Sequence, residues 1–126
     1  MKPPPPPGPP DVAELQELID QWAGFVSDLE RREYTFDLDN WLNDVDVREL
    51  ILEALPMFSR EEMGDHALKL AEADRAFIAA TRDFKRCAWG SGTARKEHWT
   101  AQKNWWYFRT PARSNAQLED ELATVR

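Results

Sequence analysis

The sequence predicts an all-α fold: a small bundle of three to four main helices, with an aromatic-rich irregular C-terminal segment packed on it and a Pro-rich leader in front. Three observations predict it. Apolar residues recur at intervals of three and four over long stretches. Helix-capping patterns open those stretches. No alternating strand pattern has an obvious partner.

Residues 1–10, MKPPPPPGPP, form the leader. Proline fixes φ and lacks the amide donor, so this run is expected to be extended polyproline II rather than helix or central strand. Such a run either serves as a plain extended leader or is read by a partner groove of the SH3 kind. The rest, 11–126, reads as a single helical domain of ordinary size.

Asp11 is placed to cap a first helix over Val12 to about Arg32. Its apolar positions Leu15, Leu18, Ile19, Trp22, Phe25, Val26 and Leu29 share one face, and Glu14, Glu17, Gln21 and Asp28 lie opposite. That stripe requires a covering surface, supplied by other helices or by a second copy in a homodimer. Between 33 and 46 the Asx residues suggest turns and helix starts. The expectation is a short helix over 37–43 and a longer one over 44–55, stopped by Pro56. Ser59 and Glu62 form a capping box for a helix expected to continue to about Arg86, weakened slightly by Gly64. The stretch around Gly90 and Gly92 reads as a turn and loop. Trp99 to Phe108 reads as an extended or irregular segment laid over the helices, and Ser114 with Gln117 as the cap of a short terminal helix.

Charge is distributed unevenly. Residues 82–113 hold eight basic and two acidic side chains with four of the six tryptophans, a local charge of +6 in a chain of net charge −7. The remainder therefore carries −13. Overall acidity disfavours general nucleic-acid coating. Two uses of the basic segment compete. Its aromatics pack as core on an acidic helical body, or Trp89, Trp99, Trp105 and Trp106 stack on a nucleic acid or a small anion whose negative charge Arg86, Arg95, Lys96, Lys103 and Arg109 contact.

Two charges interrupt apolar stripes: Arg48 among Trp41, Val45, Leu52 and Leu55, and Asp74 between Leu70 and Phe77. Burying either alone is expensive, so an Arg48–Asp74 ion pair is expected, with Asp44 or Asp46 as alternative partners for Arg48. The competing reading is a pocket in which Arg48 grips an anion bidentately. The Asp-rich stretch 37–46 lacks the glycine and terminal Glu of a calcium loop. His66, His98 and Cys87 have no partner at zinc-ligand spacing, and no phosphate-cradling glycine motif occurs. No metal, cofactor or catalytic residue is implied. A lone cysteine, with no secretory or membrane-spanning segment, points to the cytoplasm. The functional expectation is a small acidic non-enzymatic binding or adaptor protein whose partner is a protein, naturally a basic one. The candidate binding residues are Arg48, Asp74, Trp99, Trp105, Trp106 and Arg109.

Overall fold

The computed structural model describes residues 11–126, so the proline-rich leader lies outside the described residues. The fold is mostly helical. Helix α1 (Val12–Arg31) is followed by α2 (Leu38–Ala54), α3 (Arg60–Met63) and α4 (Asp65–Ala80). Strand β1 (Thr81–Asp83), helix α5 (Ser91–Glu97), a 3-10 turn (Trp105–Phe108), strand β2 (Arg109–Pro111) and α6 (Ala116–Ala123) complete it. Helix α1 packs on both α2 and α4, most extensively on α4.

Asp11 caps α1 by accepting from the Glu14 amide at 2.8 Å. The α1 stripe is buried at Leu15, Ile19, Trp22, Val26 and Leu29. The surface that a homodimer would have used is thus largely covered within the chain. Asp37 caps α2 through the Asn40 amide at 2.9 Å, and Glu121 of α6 accepts from the Leu38 amide at 3.1 Å. With its first turn held from two sides, α2 runs unbroken through 43–44, where two helices were expected. A 3-10 turn containing Pro56 ends it.

The expected 59–86 helix is divided twice. The Ser59–Glu62 capping box forms, but the short α3 it opens stops at Gly64, whose φ of +50° is unfavourable for a side chain bearing Cβ. The chain restarts as α4 and leaves the helix at Thr81. There the Thr81 hydroxyl turns back onto the Phe77 carbonyl at 2.8 Å, and residues 81–83 become a strand. This supplies the partner that the C-terminal segment lacked on paper. Strands β1 and β2 pair antiparallel in the register Thr81 with Pro111, Arg82 with Thr110 and Asp83 with Arg109. The fold is therefore helical with a two-stranded ribbon. The supposed loop at 91–97 is helix α5, and the terminal helix is capped by Asn115, which accepts from the Leu118 amide at 2.9 Å, not by Ser114.

The core is aromatic. Trp22, Trp41, Phe77, Trp106 and Tyr107 are its largest fully buried side chains. Phe77 stands at its centre, 4.8 Å from Trp22, 5.9 Å from Trp41 in a near-parallel stack, and 5.8 Å from Trp105. It thereby joins α1, α2, α4 and the C-terminal segment. Phe77→Ala is expected to destabilise the protein by about 3–5 kcal/mol, measured as a lower urea midpoint with little change in slope.

Candidate functional site

Arg48 and Asp74 meet as expected. Nε and Nη2 of Arg48 donate to the two carboxylate oxygens of Asp74 at 2.9 and 3.0 Å, a bidentate pair. Trp22 Nε1 donates to the same Asp74 Oδ1 at 3.0 Å. The guanidinium carbon lies 4.7 Å from the Trp106 ring centre and 5.7 Å from that of Trp105. The pair is consequently closed around itself: its carboxylate is held by three N–H donors and its guanidinium face is covered by indoles. None of the surface clefts described below is lined by Arg48 or Asp74.

The other sequence candidates separate. Trp106 is 1% exposed and presents no free ring face, whereas Trp105 is half-buried and borders a surface cleft with Phe84, Phe108 and Arg109. Arg109 is engaged from every side: Nε donates to Thr81 Oγ1 at 2.7 Å, Nη1 to Asp83 at 2.7 Å, and Nη2 to the Ile78 carbonyl at 3.1 Å. A cation on the last carbonyls of α4 is a favourable terminus for that helix. Trp99 stacks on Tyr107 with ring centres 4.2 Å apart and lines two surface clefts, while Trp105 and Arg109 border a separate, smaller one.

That surface consists of two clefts on either side of Trp99, organised by α5. Gly90 allows the helix to begin: its φ is +100°, and an added Cβ would sit 3.2 Å from the Arg126 carbonyl oxygen. His98, at φ +61°, ends it by donating its amide back to Ala94 and Arg95. The first cleft is an aromatic notch with an acidic rim, about 470 Å³ in volume. Asp46, Glu49 and Leu50 project from one face of α2, Glu97 and Thr93 from α5, and Trp89 and Trp99 supply ring surface. Trp89 is 37% exposed and Leu50 49%.

The carboxylates of this notch are held in place. Asp46 Oδ1 accepts from the Tyr107 hydroxyl at 2.6 Å and from Trp89 Nε1 at 3.2 Å. Glu49 accepts from Asn104 Nδ2 at 2.9 and 3.0 Å. Burial pushes the Glu49 carboxyl above its ordinary range, against the opposing pull of the Asn104 hydrogen bond. Burial and then the Asp46 hydrogen bond push the Tyr107 hydroxyl far up, so it remains a donor.

The second cleft is larger, about 620 Å³, and is lined by Lys85, Arg86, Arg95 and His98 with no carboxylate. Cys87 lies buried at its margin, and burial pushes the thiol up. Cys87 and His98 share the cleft without a hydrogen bond between them among the described residues. The Asp-rich stretch 37–46 divides into separate structural tasks: Asp37 caps α2, Asp44 accepts from the Tyr34 hydroxyl at 2.7 Å, and Asp46 faces the notch. Among the described residues no group of three or more His, Cys, Asp or Glu is arranged to hold a metal ion. No described helix is long and apolar enough to cross a membrane.

Sequence reasoning missed Asp46, Glu49, Leu50 and Glu97 as a site. The usable signal was helical spacing within 91–97, which places Thr93 and Glu97 on one side and Ser91, Arg95 and His98 on another.

Two outcomes follow from this geometry. Arg48→Ala is expected to destabilise by about 3–5 kcal/mol because it leaves Asp74 uncompensated, while Arg48→Met with Asp74→Leu together cost much less; urea denaturation of the three proteins checks it. Asp44 and Glu49 both have carboxyls raised by burial. A carboxyl raised on folding favours the folded state at pH below its unfolded pKa, and that contribution is lost as pH rises through the folded value. Asp44→Asn and Glu49→Gln are therefore expected to flatten the fall of stability between the acidic carboxylate range and neutrality, read from thermal midpoints across pH.

No protein-family model matches the chain, and neither a curated protein nor a solved structure is significantly similar to it.

Proposed function

We propose that this is a small non-enzymatic binding protein that works through protein–protein contacts, and that its partner is basic. The observation that carries the reading is the notch between α2 and α5. It combines exposed apolar and aromatic surface at Leu50 and Trp89 with carboxylates at Asp46, Glu49 and Glu97. Aromatic anchors in a pocket with a charged rim are the composition of protein-binding hot spots. An arginine or lysine side chain gains there from the ring face and from the carboxylates together.

The basic segment's own arrangement supports the same choice. Part of its charge is neutralised within the chain, where Arg82 pairs with Glu119 at 2.6 Å and Arg109 with Asp83 at 2.7 Å. Its rings Trp106 and Tyr107 are core. The outer faces of α1 and α2 remain acidic and steer a cationic partner toward the notch.

A peptide repeating Arg-Gly-Leu, titrated against the protein's intrinsic tryptophan fluorescence, is expected to bind in a salt-dependent manner, and its Glu-Gly-Leu counterpart is not. Leu50→Glu and Glu97→Lys are expected to weaken that binding by about tenfold or more without altering the circular dichroism spectrum. Unchanged affinity in both variants would place the contact elsewhere and sink the assignment to the notch.

A further inference from the structure

We propose that the second cleft, on the opposite side of Trp99, binds a small multiply charged phosphate-bearing anion. Lys85, Arg86 and Arg95, all exposed, line one broad, open depression of about 620 Å³, together with His98, Ser91 and Thr100. The chain carries 23 acidic residues, yet none lines this cleft. Among the described residues Lys85 and Arg95 take part in no ion pair, and Arg86 is steadied by the Val125 carbonyl rather than neutralised by a carboxylate.

Gathering three like charges around one depression is unfavourable unless an anion offsets it. A dianion or trianion does so with charge-assisted hydrogen bonds from guanidinium and ammonium donors, and guanidinium suits phosphate oxygens in particular. The volume is in the range of small-molecule sites, roughly 300–1,000 Å³. Trp99 and Phe108 add ring surface for an apolar or aromatic portion of the ligand.

The same charge distribution selects a small anion over a nucleic acid. Residues outside 82–113 sum to −13, so an extended polyanion reaching beyond the 82–113 segment meets surface of its own sign. A ligand confined to the cleft stays largely within one Debye length, about 8 Å at physiological salt, of its cations. The position of these residues also explains why the cations are assembled here. Helix α5 brings Arg95 and the turn at His98 alongside the 84–87 segment, which the Phe84 amide fastens to the Phe108 carbonyl at 2.9 Å and the Ala88 amide to the Tyr107 carbonyl at 2.7 Å.

The test is calorimetric titration of the full chain with inorganic tripolyphosphate, ATP, adenosine and a 15-residue oligothymidylate. Tripolyphosphate and ATP are expected to bind with one-to-one stoichiometry, and adenosine is not. Lys85→Glu and Arg95→Glu, both exposed side chains, are expected to weaken ATP by about tenfold or more each. Lys103→Glu, outside the cleft, and Glu97→Lys, in the acidic notch, are expected to leave the affinity unreduced. Absence of binding overturns the proposal, as does an equal loss in Lys103→Glu, which would mean diffuse surface charge. Tighter binding of the oligothymidylate than of ATP would make the surface a nucleic-acid interface and overturn it as well.

Discussion

The Arg48–Asp74 pair is the constraint on which the rest of the structure depends. One guanidinium ties α2 to α4 through two hydrogen bonds, and the carboxylate it grips also receives the Trp22 indole of α1. The guanidinium face lies against Trp106, so the same group also locates the C-terminal segment. A buried ion pair contributes little net stability compared with an apolar replacement of equal volume. What it contributes here is position, because a bidentate pair is satisfied in one geometry whereas apolar contacts are satisfied in many. Among the described residues Arg48 Nη1 and Trp106 Nε1 are buried without hydrogen-bond partners, and the contact of the guanidinium with the Trp106 ring recovers part of the cost at Arg48.

From that junction the aromatic core extends in two directions. Phe77 links it to Trp22 and Trp41 in the helical layer, and Trp105 and Trp106 link it to Tyr107 and Trp99 near the surface. Fixing 105–108 as a 3-10 turn leads the chain into β2, which closes on β1 directly after α4. Arg109 then bonds both the strand and the end of α4, so the ribbon and the helix terminus form one unit. The positive charge of the segment and its tryptophans thus have distinct uses: the rings build core, and several of the cations secure helix ends and strands.

Local rules made the helices legible in the sequence. Asp11 and the Ser59–Glu62 box were readable because a cap depends on residues three apart, and the α1 stripe because its period is unambiguous. Arg48 and Asp74 were readable for a different reason: each breaks an apolar pattern, and burial leaves an isolated charge few remedies. Most of the failures were tertiary. Nothing near Thr81 states that the helix should stop, since its partner strand is almost thirty residues away. Gly64 looked like a mild propensity defect because its positive φ is a property of the α3–α4 junction. Helix α5 was hidden by Gly90 at its start and Gly92 in its first turn; at Gly90 the backbone of Arg126 approaches closely.

Misreading that one helix concealed both clefts, because α5 is the element that separates charge of opposite sign. Its Thr93–Glu97 side faces Asp46 and Glu49, and its Ser91–Arg95 side faces Lys85 and Arg86. Trp99, anchored on Tyr107, stands between them and borders each. Were the cations distributed over both sides, they would neutralise the carboxylates of the notch and neither cleft would carry a distinct potential. Separation is maintained by the fold rather than by distance along the chain, since Arg95 and Glu97 are only two residues apart. A helix is the simplest device that can do this, because residues two apart on a 3.6-residue turn point to nearly opposite sides. The short α5, held by Gly90 at its start and by the left-handed His98 at its end, thereby turns a mixed-charge stretch of sequence into two surfaces of opposite sign.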